Sequence, residues 1–176
     1  MTKAKIKIET NGIPRKFKDL PVGSIFRTHA ADKFARFIKA EHDDGFVVVS
    51  IGPFLDQSGP LYYDCNTLMI HEDTLCLDET ATLEIRPTGT EPCAEGATKR
   101  GGNLLITESD ELLFLDLRPG TSRDKVCFSL RQLKIVERAP QKYIAYDSYV
   151  LAKSKGDHEI VFEWSRPATT ETSRAA

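Results

Sequence analysis

The densest group of side chains able to hold a metal ion is His71-Glu72-Asp73, followed closely by Asp78-Glu79 and Glu84. Carboxylates and one imidazole could hold Mg²⁺ or Mn²⁺, the carboxylates as the oxygen ligands, and a divalent ion there would activate water for hydrolysis of a phosphodiester. The plainer role for the same residues is as solvated carboxylates on hairpin loops, so the sequence assigns no metal, no cofactor and no catalytic residue. Cys76 with His71, and Cys65 with His42, pair a nucleophile with a base in type but carry no local signature of cysteine catalysis. A Gly-x-Ser-x-Gly elbow, a P-loop and a dinucleotide fingerprint are all missing, which removes support for standard acyl-transfer or nucleotide chemistry.

Asp78 with Glu84-Ile85-Arg86 resembles the acidic pair and basic residue of restriction-type nucleases, with arginine where that family places lysine. The resemblance implies a metal-dependent nuclease or hydrolase working from the acidic middle segment, but the αβ context of that family is not what this sequence predicts. Nucleic-acid binding has a separate basis. Arg118, Arg123, Lys125, Arg131, Lys134 and Arg138 are interleaved with Phe128, Tyr143 and Tyr146. A β barrel presenting Arg123, Lys125, Arg131 and Lys134 beside stacking aromatics would take single-stranded nucleic acid. The overall pI of about 6.1 is not that of a basic protein, and alternation turns the aromatics inward as readily as outward.

The elements that must position these groups are strands. Residues 34–40 and 46–51 flank Glu41-His42-Asp43-Asp44-Gly45, whose Asp-Gly is a hairpin signal, although apolar residues at 30, 31, 34, 35, 37 and 38 also fit a helical face capped by Thr28. Further strands are expected at 24–28, 60–63, 67–70, 82–85, 103–107, 111–117, 125–130, 133–137, 142–152 and 159–164. This is an all-β, or mostly β, fold of two small barrel-like or sandwich units.

An internal duplication is one reading of a repeated pattern. Phe17-x-Asp19-Leu20-x-x-Gly23-Ser24 recurs 97 positions later as Phe114-x-Asp116-Leu117-x-x-Gly120-Thr121. The same offset lays Phe37-Ile38 on Lys134-Ile135 and Phe46-Val47 on Tyr143-Ile144. Turn chemistry accounts for the Asp, Pro and Gly but not for the two phenylalanines. Pro21-Val22-Gly23 suits a type I turn closed by glycine, and Pro119-Gly120 a type II turn. The domains expected are residues 1–86 as a first β unit with an acidic extension, 87–102 as a linker or exposed loop, 103–164 as a second β unit, and 165–176 as a disordered tail.

Charge is segregated beneath a net charge of −2. Residues 1–40 hold ten Lys or Arg against three acids, residues 41–97 hold twelve acids against Arg86 alone, and residues 98–176 hold thirteen bases and eleven acids. One reading is that these segments neighbour one another and neutralise across a sheet; the other is a pair of opposite surface patches that steer partners or drive self-association. No apolar run approaches the roughly twenty residues of a membrane span, and isoleucines alternating with charge at the N-terminus read as an edge strand instead of a signal peptide. A cytoplasmic location without membrane contact is expected. Cys65, Cys76, Cys93 and Cys127 have no paired spacing and read as free buried thiols.

These features favour a non-enzymatic cytoplasmic interaction protein, of a size that fits a bacterial or phage accessory role, binding a protein partner or its own copies through charged β surfaces. The acidic residues Glu72, Asp73, Asp78 and Glu79 are the expected protein-binding set.

Overall fold

The computed structural model describes residues 12–43, 45–51, 60–79, 83–88, 102–115, 126–137, 140–153 and 160–165. The first half contributes β1 (Ile13–Lys16), a single 3-10 turn at Phe17–Asp19, β2 (Ile25–Ala30), β3 (Lys33–His42), β4 (Gly45–Ser50), β5 (Tyr62–Asp64), β6 (Leu75–Asp78) and β7 (Leu83–Pro87). The second contributes β8 (Leu104–Ile106), β9 (Glu111–Leu115), β10 (Val126–Ser129), β11 (Lys134–Val136), β12 (Ile144–Tyr146), β13 (Ser148–Lys153) and β14 (Ile160–Ser165). The all-β expectation holds.

Eleven of these strands form one sheet and three form another, and neither closes into a barrel among the described residues. The large sheet runs β1-β6-β2-β3-β11-β10-β9-β8-β12, with β4 and then β5 on the other edge of β3; the small sheet runs β14-β13-β7. β3 is the hinge of this arrangement because it is ten residues long. One edge pairs with β2 as far as Ile25↔Ile38, and the same edge continues to β11 through the parallel pair Lys134↔Glu41. The junction is fixed by the amide of Glu41 donating to the carbonyl of Leu133 at 3.1 Å. Gly23 lies so close to the Leu133 side chain that an added Cβ would stand 2.5 Å from Cδ1.

Burial on both faces explains why the strands do not alternate cleanly. Ile25 and Ile38 face a core shared by both halves, with Val49, Leu104, Leu113, Phe128, Leu151 and Trp164. Phe26 and Phe37, one residue away, face a second core with Phe17, Leu61, Tyr63, Leu68 and Cys76. A third core, of Leu105, Leu112, Phe114, Cys127 and Ala145, covers the outer face of the second half.

Several expectations are corrected by this arrangement. The strand expected at 34–40 is present within β3 and the helical alternative is not: residues 31 and 32 are the turn between β2 and β3, and the Thr28 hydroxyl, instead of capping a helix, donates to the Leu75 carbonyl across to β6. Residues 67–70 form a turn with Met69 at φ +55, and the strand lies further on at β6. The single strand expected at 142–152 is two, broken at Asp147, and its parts enter different sheets. The Pro21–Ser24 turn is closed by Ser24 N–H on the Pro21 carbonyl, and Gly23 at φ +85 makes it type II instead of type I.

The repeat is not reproduced in the pairing. Phe17 sits in the 3-10 turn whereas Phe114 sits in β9, and β3 and β4 form a hairpin whereas β11 and β12, their counterparts, do not touch in register. Asp116 to Thr121, the rest of the second copy, lies outside the described residues. The same is true of the N-terminal strand expected before residue 12, of 89–101 in the linker and of the tail beyond Ser165. β7, placed by sequence in the first unit, pairs with β13 of the second.

Candidate binding cleft

Half of the expected acidic binding set is used inside the fold. Glu79 follows β6, and its side chain is 1% exposed. Its Oε1 lies 2.7 Å from Arg27 Nε and 3.0 Å from Arg36 Nε. Those arginines stand directly opposite each other on β2 and β3, so without a shared carboxylate they would repel. Asp78 is likewise buried, 3.1 Å from Arg15 Nε on β1. Asp78 and Glu79 are therefore not presented to a partner, which corrects the sequence-based set. Glu72 and Asp73 are exposed on the turn before β6, but Asp73 is held by Lys16 at 2.9 Å and Lys18 at 3.0 Å. These hydrogen bonds hold the Asp73 carboxyl down to about 2. The basic N-terminal segment and the acidic middle thus neutralise each other across β1, β2, β3 and β6.

The hydrolase reading loses its geometry for the same reason. Asp78 and Glu79 are engaged by arginine, and Glu84 on β7 pairs with its neighbour Arg86 in the other sheet. Among the described residues, the side chains that do converge at metal-ligand range are His42, Asp43 and Glu137, whose donor atoms all lie within 4.8 Å of one another. The cysteine pairs fare no better. Cys65 and Cys76 are buried, their thiols donate to the carbonyls of Phe46 and Thr74, and burial pushes both up to about 11. Cys127 is buried and raised to about 11 in the same way, so three cysteines are free thiols as expected; Cys93 lies outside the described residues.

The basic set divides too. Arg123 and Lys125 lie outside the described residues. Arg131, on the turn between β10 and β11, is bound through two nitrogens to Glu111 at 3.0 and 3.2 Å, which lowers the Glu111 carboxyl. Lys134 is exposed at the start of β11 and lines an open cleft of about 620 Å³. The topology builds this cleft. β11 and β12 run in the same direction at opposite sides of β10, β9 and β8, so the chain between them must cross that face. Val136 and Tyr143, at the two ends of the crossing, both pack on the outer core. The cleft opens between this crossing and the turns below it, with Leu112 and Val136 as apolar lining, Thr107, Ser109 and Gln132 as polar groups, Lys134 and Lys142 as cations, and Glu108 and Asp110 as acids.

Its rim is preorganised by one carboxylate. Asp110 is buried, accepts from Ser129 Oγ at 2.5 Å and from the Arg131 amide at 3.3 Å, and so ties the β8–β9 turn to the β10–β11 turn. The Thr107 hydroxyl accepts from the Asp110 amide at 2.8 Å, completing the turn. β12 has a neighbour, β8, on one side only among the described residues, and its Ile144 is 51% exposed. The sequence had flagged Lys134 alone. Lys142 and the cleft were invisible because they depend on a crossing connection that no local pattern specifies.

Comparison with protein-family models, with curated proteins and with solved structures finds no match to this chain.

Proposed function

We propose that this protein is a non-enzymatic binding protein that captures an extended, acidic segment of a partner protein at the cleft and the neighbouring edge of β12. The observation that carries the reading is that Lys134 and Lys142 line one cleft with Leu112 and Val136, near β12, which among the described residues pairs only with β8. An added strand supplies main-chain hydrogen bonds, and the two lysines supply selectivity for a carboxylate side chain.

Single-stranded nucleic acid is the second reading, and the cleft favours it less. Among the described residues no aromatic side chain lines the cleft to stack a base. Self-association through β12 is the third outcome to be separated, and it would show as concentration-dependent mass.

Selection from a random peptide display library on the immobilised protein tests the proposal. Enrichment of extended sequences with one or more Asp or Glu is expected, with binding reduced at least tenfold by Lys134→Glu or Lys142→Glu and weakened by salt. Selected peptides free of acidic residues, or indifferent to both substitutions, would refute it.

A further inference from the structure

The three groups that converge at the end of β3 and β11 suggest a second site, independent of the cleft. We infer that His42, Asp43 and Glu137 bind a first-row transition-metal dication, with Zn²⁺ as the best match. His42 is the last residue of β3 and Asp43 begins the turn into β4, whereas Glu137 follows directly on β11. Consecutive strand residues point to opposite faces. Here Asp43 is at φ +48, and its carboxylate Oδ2 lies 3.7 Å from His42 Nε2. The parallel junction of β3 and β11 then brings Glu137 to the same spot, with all three donor atoms within 4.8 Å.

The separations are those of ligands that can share one ion. A gap of 3.7 Å is too long for a strong hydrogen bond between imidazole and carboxylate. Two ligands each about 2.1 Å from a tetrahedral ion stand about 3.4 Å apart, so His42 and Asp43 are already near that spacing. Glu137 is exposed and Asp43 is mostly so, and rotation about their side-chain bonds closes the remaining ångström. The donor set is one nitrogen and two carboxylate oxygens, with room for water in the fourth position. An imidazole ligand disfavours Mg²⁺ and Ca²⁺, which take oxygen, and suits Zn²⁺, Co²⁺ or Mn²⁺. The set is not made of carboxylates alone: the imidazole supplies a nitrogen donor, and a dication cancels the two carboxylate charges.

The location gives the ion a structural consequence. His42 and Asp43 belong to the first half and Glu137 to the second, and between β3 and β11 the register holds a single residue pair, Lys134↔Glu41. A metal bound there cross-links the halves beside that thin junction. Binding to the folded state alone raises its stability by linkage.

The test is titration of the full chain, stripped with chelator, by Zn²⁺ alone, read by calorimetry and by thermal unfolding. One saturable site is expected. The midpoint should rise by about 5 to 10 °C at a free Zn²⁺ concentration a hundredfold above Kd. His42→Ala and Glu137→Gln should each weaken binding at least tenfold, and Glu137→Gln, at an exposed position, should leave the metal-free midpoint within about 2 °C of wild type. Glu72→Gln, remote from the site, should bind as wild type, and an excess of Mg²⁺ should not compete. No saturable binding up to about 100 μM, or binding that survives both His42→Ala and Glu137→Gln, would overturn the inference. Neither outcome bears on peptide capture by the cleft.

Discussion

Replacing Glu79 with glutamine removes one charge while keeping the shape of the side chain, and it isolates the question of whether the acidic segment serves the fold or a partner. In the wild type one carboxylate oxygen meets Arg27 at 2.7 Å and Arg36 at 3.0 Å, with the Glu79 side chain 1% exposed. Without that charge the two guanidinium groups face each other across β2 and β3 without the carboxylate they share. Breaking a buried pair by removing one partner costs about 3–5 kcal/mol. The arginine side chains are 24% and 22% exposed, so water recovers part of that loss and about 2–3 kcal/mol remains. For a chain of this length that lowers the melting midpoint by about 5–10 °C. Urea and thermal unfolding, followed by circular dichroism and by the fluorescence of Trp164, measure both. Glu72→Gln, on the exposed turn, should stay within about 0.5 kcal/mol of wild type. A Glu79→Gln protein as stable as Glu72→Gln would refute the assignment and return Glu79 to the list of partner-facing residues.

Three further outcomes follow from the same contacts. The Asp73 carboxyl, held by Lys16 and Lys18, should titrate near pH 2 by NMR in low salt. Because its folded value is depressed, its contribution to stability is present above the ordinary carboxylate range and is lost as pH falls towards 2; added salt or Lys18→Ala should move the midpoint upward. Cys65, Cys76 and Cys127, with thiols pushed up to about 11, should resist a thiol reagent at pH 8 in the native protein and react on unfolding, as labelled-peptide mass spectrometry would show. Rapid native labelling at any of the three contradicts their burial. Gly102→Ala should destabilise by about 2 kcal/mol or more and shift Trp164 emission, since Gly102 is at φ +89 and a Cβ there would stand 2.4 Å from the indole ring. A neutral Gly102→Ala would mean the ring does not rest on that glycine.

What could be read from the sequence was local. The hairpin of β3 and β4 was legible because Asp43-Asp44-Gly45 interrupts two apolar runs, and Gly45 now pairs with His42 across that turn. The opposing charges of the first hundred residues were legible as partners for one another, which Arg15, Arg27 and Arg36 bear out. β6 carries a weak period, Leu75 and Leu77 alternating with buried Cys76 and Asp78, and its inward positions hold a thiol and a carboxylate instead of the branched apolar residues that mark a strand. β1 had no local signal because Ile13-Pro14-Arg15-Lys16 is exposed throughout and, among the described residues, pairs only with β6. The junction of β3 with β11, and the crossing from β11 to β12, rest on contacts between residues far apart in the chain. Both candidate sites sit on those two features. Lys142 and Lys134 in one cleft, and Glu137 near His42, therefore had no local signal.

The most direct test of peptide capture is amide hydrogen exchange with and without a library-selected acidic peptide. The account predicts new protection along β12, at Ile144 to Tyr146, and in the turn around Gln132, lost together in the Lys134→Glu, Lys142→Glu double variant. Protection confined to other strands, or protection in β12 produced instead by an oligonucleotide or by raising protein concentration alone, would contradict it.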